Sequence, residues 1–274
     1  MERKELLKKI KLFVLDLDGT FYLGERLFPD SLRFISRVRA SNREYKFFTN
    51  NSSKTPESHV GKLTGMGLEV SRDDVLTSGD VCIDYLKKNH EGASVFLMGT
   101  ETLRASFTEA GVRLIGSGDC PRNGSNPAGQ PDVVVCAFDT ELTYHKLERA
   151  CTYIRGGAVF LATHEDINCP TEDGFLPDCG SMCAMISLST GRAPKYVGKP
   201  HPETVEIIES VTGIERGGIA FVGDRLYTDV ACGVNNGAIG ILVLSGETKP
   251  EDIPGSPVKP HAVFSGLGEI ADLL

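Results

Sequence analysis

The chain has 274 residues, a formal net charge of −8, 41% hydrophobic residues and 24% charged residues. This composition excludes the disordered and fibrous classes, and the length predicts one large domain or two modest ones, of which we favour two. The acidic balance argues against a nucleic-acid partner, because no block of consecutive Lys and Arg residues could neutralise a run of phosphates.

The sequence also argues against membrane insertion and disulfide bonding. No apolar run approaches the roughly 20 residues that a membrane helix needs, and residues 1–5 lead into a stretch without the apolar core of a secretory signal. The eight cysteines have no regular spacing, which favours reduced, buried thiols. Cys179 and Cys183 are spaced for one face of a helix, but a structural zinc site needs four clustered ligands. We expect a cytoplasmic protein without a membrane partner.

Short apolar runs alternate with helix-like segments along the chain. In chain order, the predicted strands are residues 12–17, 45–48, 95–98, 133–138, 159–162, 219–222 and 239–244. Helix starts are predicted near residues 29–31, 55–57 and 199–203, where proline accompanies capping residues. Residues 116–131 are poor in apolar side chains, which predicts a surface loop within the second domain. The alternation of strands and helices predicts βαβ units and parallel sheets.

Three of the predicted strands end in a polar side chain suited to chemistry. Residues 12–15 lead into Asp16, residues 45–48 into Thr49, and residues 220–223 into Asp224. In open α/β sheets the ligand crevice lies beyond the carboxyl ends of the strands. We therefore expect these three side chains to meet.

The acidic side chains predict a site for a divalent cation. Asp16 and Asp18 are separated by one residue, and two crowded carboxylates repel each other unless a cation or a proton neutralises one of them. Asp224 would add a third carboxylate, and magnesium prefers such hard oxygen ligands over nitrogen or sulfur. Lys199, at a predicted helix entrance, is suited as a point charge for a phosphate oxygen.

Each of these features alone also has a purely structural interpretation. Asp-Gly-Thr is common in ordinary turns, and the Asn and Ser residues after Thr49 are suited to capping a helix and bending the backbone. Lys199 alone would be a solvated surface charge, and Asp224 with Asp229 would favour the start of a helix. Their joint occurrence, in order, at strand ends favours a functional site.

Together these motifs resemble the four ordered motifs of the haloacid dehalogenase (HAD) superfamily. The matching segments are Asp16-Leu17-Asp18-Gly19-Thr20, Thr49-Asn50-Asn51, Lys199-Pro200 and Gly223-Asp224-Arg225-Leu226-Tyr227-Thr228-Asp229. Further signatures resemble its NagD-type, nitrophenylphosphatase-like branch, at residues 48–52, 162–166, 191–192, 198–200, 223–225 and 228–229. The resemblance covers nearly the whole chain.

The resemblance implies an α/β fold with a doubly wound, Rossmann-like parallel-sheet core and an inserted α/β cap domain. We expect the core to comprise residues 1–85 and 181–274, and the cap, which would set substrate specificity, to comprise residues 86–180. Within the cap, residues 166–170 and 176–178 either read the substrate or serve only as a connector. The resemblance also allows a homo-oligomer formed through the cap.

The resemblance further implies a role for each motif residue. Asp16 would attack phosphorus and become an aspartyl-phosphate, while Asp18 would protonate the leaving oxygen and then activate water. Asp16, Asp224 and the backbone carbonyl of Asp18 would bind Mg²⁺. Thr49 and Lys199 would bind phosphoryl oxygens as charge spreads in the transition state.

The remaining motif residues would support this site. The backbone N–H groups of Asn50 and Asn51 would cradle the phosphate as a small anion nest. Asp229 would orient the metal site and Lys199 without being a metal ligand itself.

We therefore predict a magnesium-dependent phosphatase that hydrolyses a small phosphorylated metabolite. Sugar phosphates, phosphoglycolate-like acids, nucleotide monophosphates, pyridoxal phosphate and p-nitrophenyl phosphate are all open as substrates. Two alternatives use the same residues: a receiver-like signalling module, and a non-catalytic protein that binds a phosphorylated ligand. The length opposes the receiver alternative, because receivers are about one small domain in size.

Overall fold

The computed structural model describes residues 2–116, 129–171 and 174–274, so the predicted loop at 116–131 lies largely outside the described residues. The helices in chain order are α1 (Arg3–Lys9), α2 (Ser31–Ala40), α3 (Pro56–Gly65), α4 (Ser78–Asn89), α5 (Glu101–Glu109), α6 (Tyr144–Arg155), α7 (Cys179–Thr190), α8 (Pro202–Thr212), α9 (Ala231–Asn235) and α10 (Leu267–Leu273). The strands are β1 (Leu12–Leu15), β2 (Tyr22–Leu23), β3 (Arg26–Leu27), β4 (Glu44–Thr49), β5 (Val75–Thr77), β6 (Ser94–Met98), β7 (Arg113–Leu114), β8 (Val133–Cys136), β9 (Val159–Ala162), β10 (Asn168–Thr171), β11 (Gly174–Pro177), β12 (Lys195–Tyr196), β13 (Ile219–Gly223), β14 (Ile239–Val243) and β15 (Ala262–Phe264). None of these described helices is long and apolar enough to span a bilayer.

The described residues form two compact units. The first comprises the residues up to Thr49, Pro56–Leu76 and Lys199–Leu274, and the second comprises Asn50–Thr55 and Thr77–Gly198. The limits that the sequence predicts for the cap, residues 86–180, stay a prediction.

The first unit is built on a sheet of six described strands in the order β15-β14-β13-β1-β4-β5. Leu12 of β1 pairs in parallel with Ile219 of β13 on one side and with Glu44 of β4 on the other. All four residues of β1 are buried, as expected for a parallel strand that is covered on both faces. Because β13, β1 and β4 run in the same direction, their carboxyl ends lie side by side at one edge of the sheet.

The second unit contains a parallel sheet of five described strands in the order β12-β9-β8-β6-β7. In its centre, Val133 of β8 pairs with Val95 of β6. Strands β10 and β11 form a separate antiparallel hairpin. A core that includes Phe96 and Tyr153 belongs to this unit alone, so each unit has its own hydrophobic core.

The strands predicted from apolar runs are confirmed, and so are the predicted helix starts. The seven runs correspond to β1, β4, β6, β8, β9, β13 and β14. Helices α2, α3 and α8 begin at the predicted signals, with Pro56 and Pro202 as the first residues of α3 and α8. Proline is suited to the first turn because its missing N–H has no partner there.

The predicted placement of Cys179 and Cys183 on one helix is also confirmed. Both lie on α7 with their Sγ atoms 4.0 Å apart, and Cys136 Sγ lies within 4.8 Å of both. None of the cysteines in the described part of the chain forms a disulfide bond.

Candidate active site

Strand β1 places Asp16 at the carboxyl edge of the sheet in the first unit. Asp16 directly follows β1, and its N–H donates to the carbonyl of Val222 at 2.9 Å, so pairing with β13 continues one residue past the strand. The chain then turns at Gly19, whose φ is +86°. A Cβ at Gly19 would lie 2.5 Å from Asp224 Oδ2, so both the backbone conformation and the available space require glycine.

Lys199 joins two carboxylates at this edge. Its Nζ lies 2.7 Å from Asp16 Oδ1 and 2.6 Å from Asp229 Oδ1, and it donates to the carbonyl of Phe48 at 3.2 Å. The side chains of Lys199 and Asp229 are each only 3% exposed. The lysine is therefore fixed beside Asp16 by charge-assisted bonds in a site shielded from water.

Asp224, directly after β13, is held by the turn that follows β1 and by the loop that follows β14. Its Oδ1 accepts a hydrogen bond from Thr20 Oγ1 at 3.3 Å, and its Oδ2 accepts one from the Glu247 N–H at 2.7 Å. Gly246 approaches so closely that a Cβ there would lie 2.0 Å from Asp224 Oδ2. The carboxylate consequently has little room to move.

A π-helical turn, Leu226–Val230, places Asp229 against the end of β13. Asp229 Oδ2 accepts the N–H of Arg225 at 3.2 Å, while Oδ1 pairs with Lys199. A Cβ at Gly223 would lie 2.2 Å from the side chain of Asp229, so glycine is required for this approach. Single π-helical turns occur frequently at functional sites.

Burial dominates the electrostatics of this cluster. Burial raises the pKa of Asp16 above its ordinary value; the Lys199 ammonium opposes this rise, and the carboxylates of Asp229 and Asp224 reinforce it. Burial, followed by the charge of Asp229, raises the pKa of Asp224 to about 6. Burial acts against the charge of Lys199, but Asp16 and Asp229 outweigh it and raise the pKa of Lys199. Three clustered carboxylates and a single ammonium leave negative charge that favours a cation.

The donor atoms at this edge fit magnesium. Asp16, Asp224 and Asp229 each bring an oxygen within 4.8 Å of the other two, and magnesium takes carboxylate oxygens as ligands. Asp229 lies in this group although the sequence predicted it outside the metal ligands, and one of its oxygens already pairs with Lys199. Asp18 directs its carboxylate toward Tyr22, whose hydroxyl lies 3.5 Å from Asp18 Oδ2.

The predicted phosphate-binding residues fall in both units. Thr49 is buried at the end of β4, the strand next to β1. Asn50 and Asn51 belong to the second unit. The amide of Asn50 donates to both carboxylate oxygens of Asp166 at 3.3 and 3.2 Å, and Asn51 Oδ1 accepts from the N–H and the hydroxyl of Ser53. Both side chains are thus engaged within the second unit, and only their backbone N–H groups are predicted phosphate donors.

Gly246 and Glu247, which hold Asp224 in place, were not among the predicted site residues. A signal for them was present, because residues 239–244 were predicted as a strand and these two residues follow its carboxyl end. Because the ligand crevice of an open α/β sheet lies beyond the carboxyl ends of its strands, the loop after this strand is expected at the same edge as Asp16 and Asp224.

Known families match the chain at both ends. A family model described as haloacid dehalogenase-like hydrolase matches residues 13–113, and one described as HAD-hydrolase-like matches residues 196–270. An acid sugar phosphatase from Staphylococcus aureus is 34% identical over 268 residues, which cover 97% of this chain and 99% of the relative. The chain belongs to the haloacid dehalogenase-like hydrolases.

Solved structures refine the position of this HAD hydrolase within the family. The 4-nitrophenylphosphatase from Thermotoga maritima is 44% identical, with a TM-score of 0.89 over 97% of this chain and 98% of that one. A glycerol phosphate phosphatase from Mycobacterium tuberculosis, solved in complex with magnesium, is 28% identical, with a TM-score of 0.85 over 96% of this chain and 76% of that one.

A putative NagD protein is also similar, 41% identical with a TM-score of 0.85 over 96% of this chain and 98% of that one. These matches confirm the predicted family, its NagD-type and nitrophenylphosphatase-like branch, and the fold class of a HAD core with an inserted cap. The HAD hydrolase is accordingly a phosphatase. This favours the phosphatase prediction over the receiver-like and non-catalytic alternatives.

Proposed function

We propose that this HAD phosphatase hydrolyses small phosphate monoesters with the help of Mg²⁺, through an aspartyl-phosphate on Asp16. The observation that carries the proposal is the buried Lys199 ammonium, which lies between Asp16 and Asp229 and shares this edge of the sheet with Asp224. A nucleophilic carboxylate beside a fixed cation is the arrangement that attack on an anionic phosphate requires.

The residues of the chain account for both halves of the reaction. Asp16 attacks phosphorus as the bond to the ester oxygen breaks, and Asp18 gives its proton to the leaving oxygen. Asp18 then takes a proton from water, which attacks the aspartyl-phosphate and releases phosphate and Asp16. Lys199 and Thr49 bind the phosphoryl oxygens, where negative charge develops in the transition state.

Asp16, Asp224 and the backbone carbonyl of Asp18 would hold the metal. When bound, Mg²⁺ would shield the negative charge of the incoming phosphate. The all-oxygen donor set supports this assignment, as does the magnesium complex of the related glycerol phosphate phosphatase. Asp229 orients Lys199, and the N–H groups of Asn50 and Asn51 cradle the phosphate.

Substrate selection belongs in this proposal to the cap at residues 86–180, and within it to residues 166–170 and 176–178. The S. aureus relative is named for sugar phosphates, which supports that class among the small phosphorylated metabolites considered. Association of copies through the cap and a cytoplasmic location are further parts of this proposal.

The test compares wild-type protein with Asp16→Asn and Asp73→Asn, using p-nitrophenyl phosphate and magnesium. Asp73 is an exposed carboxylate of the same unit and serves as the matched control. We expect wild type and Asp73→Asn to release nitrophenol, and Asp16→Asn to lose at least about a thousandfold in kcat because the nucleophile is gone. Wild-type protein that stays inert across a broad panel of phosphate esters would contradict the proposal.

A further inference from the structure

The second unit contains a buried charged cluster to which the proposed mechanism gives no role. His164 follows β9 by two residues, and its side chain is fully buried. Its Nδ1 lies 3.6 Å from Asp166 Oδ2, and its Nε2 lies 3.4 Å from Asp178 Oδ1. These two carboxylates are also almost wholly buried, at 8% and 5% exposure. Each ring nitrogen therefore faces a different carboxylate in a site that water barely reaches.

This arrangement determines where the proton of the cluster lies. A neutral imidazole has one N–H donor and one bare nitrogen, and a bare nitrogen facing a carboxylate would set two lone pairs against each other. Both carboxylates already accept hydrogen bonds, Asp178 from the Cys179 N–H at 2.6 Å and Asp166 from the amide of Asn50. Burial raises the pKa of Asp178 to about 6, and the charge of His164 and the hydrogen bond from Cys179 oppose that rise. Asp178 is therefore mainly a carboxylate at pH 7, and hydrogen bonds from N–H donors favour the ionised form of a carboxyl group. The remaining proton then belongs on His164, as an imidazolium.

The two carboxylates lie at the two ends of the β10–β11 hairpin. Asp166 precedes β10 by two residues, and Asp178 directly follows β11. The Asp178 N–H donates to the carbonyl of Ile167 at 2.9 Å, and the Gly180 N–H donates to the carbonyl of Asp166 at 2.8 Å. The His164 side chain thus lies between Asp166, which precedes the hairpin, and Asp178, which follows it.

Asn50 is hydrogen-bonded to the same cluster. Its side-chain amide donates to Asp166, and its backbone carbonyl accepts a hydrogen bond from the Ser78 hydroxyl at 2.6 Å. A Cβ at Gly198 would lie 2.9 Å from Asn50 Oδ1, so the other end of the amide is also closely packed. Asn50 is the residue after Thr49 in the chain, and its N–H is one of the phosphate donors in the proposed function.

We propose that His164 is a positioning residue of the phosphatase, which holds Asn50 and the base of the β10–β11 hairpin in one arrangement and thereby sets the affinity for the phosphate ester. The inference rests on the proposed function, because Asn50 matters for affinity only if its N–H binds phosphate. A role in stability alone would not explain three buried charges, since apolar side chains of similar volume stabilise a core equally well or better.

The first test is nitrogen NMR of the intact wild-type protein with labelled histidine at pH 7. We expect both ring nitrogens of His164 to carry a proton, with the resonance assigned by its loss in His164→Gln or, if that variant does not fold, in His164→Gln/Asp178→Asn. A neutral tautomer of His164 at pH 7 would overturn the inference.

The second test measures KM and kcat for p-nitrophenyl phosphate, and the inhibition constant of inorganic phosphate. We expect His164→Gln to raise KM and the inhibition constant about tenfold while kcat stays within about threefold of wild type. His145→Gln, on α6 of the same unit, is the matched control and leaves all three constants unchanged. A purely structural role would lower the active fraction and hence kcat, and leave KM where it was.

The remaining outcomes separate this inference from the proposed function. Wild-type protein without phosphatase activity refutes the proposed function. Active wild-type protein with unchanged KM and phosphate inhibition in His164→Gln refutes the positioning role alone. If His164→Gln does not fold, His164→Gln/Asp178→Asn removes the unbalanced charge, and an unchanged KM in that variant refutes the role equally.

Discussion

Asp224 shows how closely a single side chain is enclosed in this site. Hydrogen bonds from Thr20 and Glu247 fix its two oxygens, while Gly19 and Gly246 leave no space for another carbon beside them. The sequence predicted Asp224 because it ends an apolar strand. The predicted strand at residues 239–244 also places the loop with Gly246 at this edge, but the contact of Gly246 with Asp224 depends on β14 lying next to β13, and that adjacency is a property of the sheet order.

We predict that Gly246→Ala lowers kcat/KM by about a hundredfold and raises the magnesium concentration needed for half-maximal activity. The added Cβ would lie 2.0 Å from Asp224 Oδ2, and a displacement of about 1 Å in a catalytic group can cost this much. A magnesium titration of initial rates measures both effects. Gly255→Ala is the control, because the nearest atom to its Cβ would be 3.9 Å away. Equal rates for the two variants would contradict the prediction.

Strands were predictable from the sequence where an apolar run was at least four residues long. The runs that became β1, β13 and β14 are almost wholly apolar over four or five residues, a length typical of a fully buried strand and too short for a buried helix. The hairpin of β2 and β3 was not predicted, because strands of two residues carry no periodicity. The π-helical turn was not predicted either, since acids after β13 indicated only the start of a helix.

Helix α7 begins at a carboxylate whose titration should affect stability. Burial raises the pKa of Asp178 from 3.8 to about 6, although the charge of His164 opposes the rise. The folded protein therefore binds more protons than the unfolded protein between these values, so this group lowers the free energy of unfolding as pH increases through that range. The full decrease in the free energy of unfolding from this group is about 3 kcal/mol.

We predict that Asp178→Asn removes this pH-dependent contribution to the free energy of unfolding, because asparagine caps a helix about as well as aspartate but does not titrate. The free energy of unfolding of Asp178→Asn relative to wild type should increase by up to about 3 kcal/mol between pH 4 and pH 7. Urea denaturation of both proteins at several pH values measures the difference. Asp84→Asn, at a partly exposed position on α4, is the charge-matched control. A difference that does not vary with pH would show that Asp178 has no raised pKa.

The candidate active site is assembled from segments that lie far apart in the chain. Asp16 lies near the beginning, whereas Lys199 and Asp224 lie near the end, and the sheet of the first unit brings them together. The sequence indicated that these residues share the carboxyl edge of a parallel sheet. It did not indicate the strand order, because alternating strands and helices are compatible with several orders, and Asp229 was expected beside Lys199 only from the family resemblance.

We predict that magnesium raises the free energy of unfolding of the phosphatase by mass action, by about 2.7 kcal/mol at a hundred times the dissociation constant. Ligands from both ends of the chain would be separated in the unfolded state, so the ion binds the folded state preferentially. Denaturation with magnesium or with a chelator measures the effect in wild type, Asp224→Asn and the exposed control Asp73→Asn. The stabilisation should vanish only in Asp224→Asn, and its persistence there would exclude Asp224 as a ligand.

The central position of β1 has a consequence for biosynthesis. One long side of β1 pairs with β13, which is translated about 200 residues later. At about 5–20 residues per second, the ribosome needs roughly 10–40 seconds to supply that partner. During this interval the nascent chain carries an apolar strand with one unpaired side, to which a molecular chaperone can bind until translation reaches β13.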